Sequence, residues 1–462
     1  MVTVTRTPQA DPGENRPVLW VDVSTSRIWS GPHVGIVRVE VMVIEHLLIN
    51  QRFGLRFCYF DLRRRLHREL SRSQTEALLD RLKSTAVEGV PKHHRWHDVI
   101  TAGLKKSTKA QRGLRILPQN IRQPLKEWIS ALWKLGLASQ ALLRFLAVPN
   151  PFRKNSDPPA YFRDGDAYLS MGSDWCYNDL DVVQSIRQSR GLRVCLFCYD
   201  LLPVYHPHFF PKQQSLAFRK HASQILNCAD LVFAISSYTE QQLIRFACEL
   251  QIKPPPTLVV NLGADQSCAS SKAVTNLKSQ RYVLCVGTVE IRKNHRLLYQ
   301  LWMRMRSDPE LPDPPALVLA GRRGWRVDDL FTEMEENPEV QNTIQHLECP
   351  SDQELNWLYD HCLFTVFPSF GEGLGLPVIE SLAHGKCCLC SNTTSLPEAG
   401  QNLSVLLDPL DFMSWYAAIK TLILDDSMRT DREARICDQF KLNTWAATAD
   451  AISTTVETML HP

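Results

Sequence analysis

The stretch Phe367-Pro-Ser-Phe-Gly-Glu-Gly-Leu-Gly-Leu-Pro-Val-Ile-Glu380 constrains the fold more than any other part of the chain. Leu363 to Phe367 reads as a strand end, the glycines as a loop, and Pro377 as the opening of a helix. Proline suits a first helical turn, where its missing N–H would have had no partner. Gly371, Gly373 and Gly375 leave the backbone bare, so amide N–H groups can come close to a ligand. A helix N-terminus behind such a loop attracts anions, phosphate above all. Glu372 in the loop and Glu380 in the helix make poor phosphate ligands but good acceptors for sugar hydroxyls. A nucleotide sugar carries both kinds of group. Taken alone, the glycine loop also reads as an ordinary strand–helix turn with two solvated glutamates.

From Asp166 onward, strand and helix alternate regularly around this loop. Ala167–Gly172, Val194–Pro203, Leu258–Asp265, Tyr282–Gly287, Ala316–Gly321, Thr343–Cys349 and Lys386–Asn392 are short apolar runs with helical segments between them. Short connections of this kind predict parallel sheets covered on both faces. A chain of 462 residues is long enough for two to three domains. The small polar residues Gln266 to Ser279 read as a linker. Leu19–Val23 is the candidate first strand, followed by a glycine turn and the helix-like Val41–Leu48. Doubly wound domains place ligand contacts at such turns, which makes Gly35, Arg38 and Glu40 site candidates. The strand ending at Gly287 likewise sets Arg292 and Lys293 at the mouth of a cleft, where their charge can neutralise a diphosphate.

Net charge is only +3, which argues against a nucleic-acid binder. That balance conceals an asymmetry: residues 91–155 hold thirteen Lys/Arg against Asp98 and Glu127. Residues from about 62 to 155 read as a basic helical insert, whose positive patch suits an anionic surface, either lipid headgroups or a phosphorylated acceptor. Within it, Glu127 to Leu146 carries two tryptophans and many leucines, fitting either an interfacial helix or a buried one. No signal peptide and no run of apolar residues long enough to span a membrane is visible, which predicts a cytoplasmic chain, peripheral at most. Fourteen cysteines are scattered through apolar runs. The pairs Cys195/Cys198 and Cys387/Cys390 lie in strand-like segments that turn them to opposite faces, so they read as buried residues in a reducing compartment rather than zinc ligands.

The sequence FPSFGEGLGLPVIESLAHG, with seven residues between Glu372 and Glu380, resembles the signature of the retaining glycosyltransferase family 4, the group 1 glycosyltransferases. The resemblance runs from Arg281 to about Trp445 and, more loosely, from Ala167 to Asp265. It implies the GT-B architecture: two doubly wound, Rossmann-like α/β domains facing a cleft. An acceptor-side domain of residues 1–265 would carry the basic insert, and 266–279 would be the linker. Residues 280–442 would bind the nucleotide sugar, and 443–462 would form a helix packing back toward the first domain.

By the same resemblance Glu372 accepts from donor-sugar hydroxyls and Glu380 from the ribose. Gly287, Thr288, Gly373, Leu374, Gly375 and Leu376 line the donor. Gly35, Arg38 and Asp200 lie on the acceptor side, and no metal is required. Two departures stand out. Tyr199-Asp200 replaces the family's His-Asp, leaving Tyr199 to donate a hydrogen bond, and Thr288 stands where an arginine is common. Lys293 matches the family's lysine, and Arg292 is the residue placed to take over the arginine's task. The implied activity is retaining transfer of a hexose or deoxyhexose from a nucleoside-diphosphate sugar to a saccharide or lipid-linked saccharide, in polysaccharide or lipopolysaccharide synthesis. Two other readings stay open: an enzyme that cleaves or epimerises a nucleotide sugar, and a silent membrane-associated partner of another glycosyltransferase.

Overall fold

The computed structural model describes residues 18–29, 35–50, 52–88, 157–264, 271–341 and 343–460. The basic run expected at an anionic surface, residues 91–155, lies outside these residues, as does Asp265.

The first sheet contains β1 (Val18–Asp22), β2 (Gly54–Asp61), β3 (Leu66–Leu70), β4 (Ala167–Ser170), β5 (Arg193–Cys198), β6 (Leu231–Ala234) and β7 (Thr257–Val259). Its order is β3-β2-β1-β4-β5-β6-β7, parallel except for the β2–β3 pair. The second sheet contains β8 (Tyr282–Val286), β9 (Ala316–Ala320), β10 (Ile344–Leu347), β11 (Thr365–Phe367), β12 (Cys388–Ser391) and β13 (Val405–Leu407), in the order β10-β9-β8-β11-β12-β13. Helices cover both faces, so the central strands are apolar on both sides; Leu19, Trp20 and Val21 are all fully buried. The α/β class and the two doubly wound sheets are those expected from the sequence.

Strand order reverses beside the first strand of each sheet, between β1 and β4 and between β8 and β11. Connections diverge there and leave a crevice at the carboxyl ends of the strands, where such folds take ligands. One crevice is bounded by Asp22 and Ser170, the other by Gly287 and the glycine loop after β11. The helix Trp445–Leu460 packs on the helix Ile36–Asn50 through Ala449, Ile452 and Val456, and Asp450 pairs with His46 at 2.9 Å.

The start of the expected helical insert needs correction. Asp61 accepts from the amides of Arg63 and Arg64, at 3.1 and 3.2 Å, and Arg65 takes a left-handed φ of 52°. This closes a hairpin, so Leu66–Leu70 becomes the antiparallel edge strand of the first sheet before the helix Arg72–Glu88.

Three acids are buried at the first reversal: Asp22, Glu40 and Asp174. Asp22 accepts from the Ser24 amide (2.8 Å) and the Tyr168 hydroxyl (3.1 Å), and Asp174 from the Ser170 hydroxyl at 2.7 Å. Glu40 takes the Ser26 amide at 3.1 Å and the Ser26 hydroxyl. Burial, and then the neighbouring Asp174 charge, pushes Asp22 from 3.8 up to about 7. An acid with a raised folded pKa costs stability as pH climbs from its unfolded value to its folded one. Asp22 should therefore erode stability between about pH 4 and pH 7. In Asp22→Asn, melting temperatures at pH 5 and pH 8 should differ by less of a loss than in the parent; an unchanged difference would refute the assignment.

Candidate active site

The second crevice is built by close backbone approach. Gly287 follows β8 at φ 135° and Gly321 follows β9 at φ 157°. A Cβ on Gly321 would stand 2.1 Å from the Gly287 carbonyl oxygen. With the strand ends pressed together, the chain passes through Thr288 into the turn Ile291–Lys293, which brings Arg292 and Lys293 over the glycine loop. Arg292 reaches Glu372 Oε1 at 2.7 Å with Nη1 and Glu290 Oε1 at 2.6 Å with Nη2. Nη1 also donates to the Gly371 carbonyl at 2.5 Å. Lys293 Nζ lies 2.7 Å from the same Glu372 Oε1 and 4.5 Å above the Phe367 ring. The Ser369 hydroxyl donates to that oxygen at 2.5 Å.

Glu372 Oε1 thus gathers three donors. Burial pushes its carboxyl up, but Arg292 and then Lys293 outweigh burial and hold it down at about 2. Asp200 and Glu290 go the other way: burial raises both, against the opposing pull of Arg292. Two cations therefore sit among three carboxyl groups in a site largely shut off from water.

The other glutamate is anchored separately. Gly375, at φ 99°, starts the helix Leu376–Ala383, and Pro377 occupies its first turn. One turn on, Glu380 accepts from the Tyr359 hydroxyl through Oε2 at 2.9 Å.

The first domain closes directly on this loop. A Cβ on Gly373 would lie 2.2 Å from the Tyr199 carbonyl oxygen and 3.0 Å from Asp200 Cβ. The Ser236 hydroxyl donates to the Gly373 carbonyl at 2.6 Å. Leu374 packs into the first domain's core with Tyr199 and Ile235, while Leu376 and Ile379 lie against it. Phe209 stacks on Phe370, centroids 5.4 Å apart and planes within 8°, and Trp325 Nε1 donates to the Phe209 carbonyl at 2.7 Å.

The sequence-based candidates are therefore brought together unevenly. Glu372, Arg292, Lys293, Gly373, Leu374, Gly375 and Asp200 share one locus, with Gly287 and Thr288 at its edge. Tyr199 contributes its backbone rather than its side chain: its hydroxyl donates inward to the Met171 carbonyl at 2.5 Å. The longer phenol that replaces histidine is thus spent on the first domain's core, and the expected hydrogen bond into the cleft is not made. Arg38, on the first domain's helix, reaches across the cleft, with Nη1 3.7 Å from Glu380 Oε1 and Nη2 3.5 Å from Asp352 Oδ2. Gly35 is exposed at φ 55°, starts the helix Ile36–Asn50, and a Cβ there would meet nothing within 4 Å. Sequence reasoning missed Glu290, Ser369 and Tyr359. Glu290 had a signal, an acid two residues before a basic pair in one short turn; the other two had none.

Among the described residues, no group of three or more His, Cys, Asp or Glu side chains is arranged to hold a metal ion. No helix among them is long and apolar enough to cross a membrane.

Residues 269–436 match the family described as glycosyl transferases group 1. The chain is 32% identical over 256 residues to O-antigen chain mannosyltransferase B of Escherichia coli, covering 54% of this chain and 65% of that protein. It is 23% identical over 257 residues to the serotype-specific mannosyltransferase WbdA of Escherichia coli, covering 52% of this chain and 31% of that protein. The chain thus spans less than two thirds of either relative. Among solved structures, sucrose-phosphate synthase from Thermosynechococcus elongatus superposes with a TM-score of 0.55 at 14% identity, covering 97% of this chain and 100% of that one. Anabaena HepE in complex with UDP and glucose gives 0.52 at 12% identity, covering 96% and 100%. The fold is GT-B.

Proposed function

We propose, from the premise that residues 269–436 belong to the group 1 glycosyltransferases, that this chain is a retaining glycosyltransferase. It moves a hexose or deoxyhexose from a nucleoside-diphosphate sugar to a saccharide or lipid-linked saccharide, in polysaccharide or lipopolysaccharide synthesis. The observation that carries this reading is the convergence of Arg292 and Lys293 on one oxygen of Glu372, beside the glycine loop at the sheet's reversal. Residues 1–265 would serve the acceptor and 280–442 the donor. The mannosyltransferase relatives put nucleotide-activated mannose first among the donors to try.

In this reading Glu372 holds the cation pair in place until a diphosphate arrives. The diphosphate then shares Arg292 and Lys293, which stabilise it as the leaving group. Glu372 Oε2, outside the three-donor contact, serves the donor sugar's hydroxyls, and Glu380 takes the ribose. The acceptor oxygen attacks the anomeric carbon on the face the diphosphate leaves, and its proton passes to a departing phosphate oxygen. The anomeric C–O bond to phosphate breaks as the new C–O bond forms, and configuration is retained. The scheme needs no metal, because the cations and the helix N-terminus neutralise the charge. The basic run within 91–155 would hold the chain at an anionic inner membrane face while a lipid-linked acceptor is used.

The test is thermal stabilisation by nucleoside diphosphates and nucleotide sugars, followed by transfer assays. A ligand at a hundred times its Kd adds about 2.7 kcal/mol of apparent stability. One nucleotide should give a clear shift that Glu380→Ala largely removes. Unaltered transfer by Glu380→Ala would overturn the assignment. The second reading, a silent partner of another glycosyltransferase, draws on the inward-turned Tyr199 hydroxyl and the uncharged Thr288; it gains if no nucleotide shifts the melt.

A further inference from the structure

We propose that Arg38 is a positioning residue for the donor site, supplied across the cleft by the first domain. It orients the Glu380 carboxylate and ties that orientation to closure of the cleft. The inference rests on the donor reading above, and assigns Arg38 a donor-side task besides the acceptor-side place expected from sequence.

The two oxygens of Glu380 are held from two directions. Tyr359, from the same domain, donates to Oε2 at 2.9 Å. Arg38, from the helix Ile36–Asn50, stands 3.7 Å from Oε1. The terminal torsion of a glutamate is soft, so a carboxylate fixed at one oxygen still swings. A second contact at the other oxygen fixes its plane. At 3.7 Å the Arg38 contact is an ion pair longer than a hydrogen bond, so Oε1 keeps a lone pair for a ligand hydroxyl. Asp352 Oδ2, 3.5 Å from Nη2, gives the guanidinium a second anchor that persists when Glu380 turns to a ligand. The Arg38 side chain is 19% exposed, as is that of Glu380, so water and salt screen the pair only partly.

Geometry couples this contact to closure. Arg38 belongs to the domain of the first sheet, and Glu380 and Asp352 to that of the second. Leu376 and Ile379, on the same helix as Glu380, pack against the first domain's core. The Arg38–Glu380 distance therefore exists only while the domains are together. An open cleft presents a Glu380 held by Tyr359 alone.

The experiment is isothermal titration of the full chain with GDP, UDP, ADP and TDP, on the parent, Arg38→Met, Arg38→Lys, Glu380→Gln and the Arg38→Met/Glu380→Gln double variant. With the nucleotide that binds the parent, Arg38→Met should weaken binding about tenfold, and Arg38→Lys should recover part of the loss. In the Glu380→Gln background, Arg38→Met should cost less than about twofold, because the arginine acts through the glutamate. Undiminished binding by Arg38→Met overturns the inference. So does an equal loss in both backgrounds, since Arg38 would then act on the ligand independently. If the parent binds none of the four, the donor reading itself falls and takes the inference with it, an outcome distinct from the other two.

Discussion

Glu372→Ala is expected to cost the unliganded protein about 3 kcal/mol and to abolish transfer, while nucleoside diphosphate binds at least as tightly as before. Arg292, Lys293 and Ser369 all meet Glu372 Oε1, in a site where Glu372 is 7% exposed. Removing one partner of a buried ion pair leaves a charge without its counter-ion and costs about 3–5 kcal/mol. The lower end applies here because Glu290 still pairs with Arg292 at 2.6 Å. Lys293 bears most of the loss. A diphosphate reaching the variant meets cations with no internal anion to compete for them, so it should stabilise the variant more than the parent. Transfer fails because the donor sugar has lost its acceptor for a hydroxyl. Melts with and without nucleotide, beside a transfer assay, separate these effects. Weaker nucleotide binding in the variant would refute the competition.

The pH dependence of that cost has a definite sign. Glu372 is held below its ordinary 4.5, at about 2, so its contribution is fully present above about pH 4.5 and is lost as pH falls through 2. The stability gap between parent and Glu372→Ala should stay level from pH 5 to pH 8 and narrow only in acid.

Much of this site could be read from residue order, for a local reason. Gly371 to Glu380 are consecutive, and a strand end, bare backbone and a proline-opened helix dictate one another over short range. Arg292 and Lys293 were legible in the same way, five and six residues beyond a strand-ending glycine. The cross-cleft contacts were not. Nothing in the helix Ile36–Asn50 says that Arg38 will lie 3.7 Å from a glutamate 342 positions away. Tyr199 shows the converse limit: sequence marked the position, but its hydroxyl is turned inward to the Met171 carbonyl, with the Phe197 ring 5.7 Å from its own. The hairpin at Asp61 was missed for a third reason. Its turn rests on one Asp61 side-chain oxygen accepting from the Arg63 and Arg64 amides, a local signal that the basic composition of the stretch masks.

Gly373→Ala should reduce transfer on the order of 10²-fold and weaken nucleoside diphosphate binding about tenfold, the loss expected of Arg38→Met. The glycine is not needed for its own conformation, because its φ lies outside the left-handed region. It is needed because the first domain's backbone rests on it: the added methyl would stand 2.2 Å from the Tyr199 carbonyl oxygen. A carbonyl in the main chain cannot swing aside as a side chain can, so the two domains must part. Parting them lengthens the Ser236–Gly373 hydrogen bond and withdraws Asp200 from the Arg292 cluster. It also separates Arg38 from Glu380. Gly371→Ala is the control within the same loop. The atoms nearest its methyl would be Thr394 Cγ2 at 3.0 Å and Leu202 Cδ2 at 3.2 Å, both side-chain atoms able to yield. Transfer by Gly371→Ala should therefore stay within about tenfold of the parent. Equal losses in the two variants would mean that the loop tolerates no side chain anywhere, and that closure on Gly373 is not the controlling contact. Unequal losses in the stated order, with Arg38→Met adding nothing to Gly373→Ala, would place the arginine's effect downstream of closure.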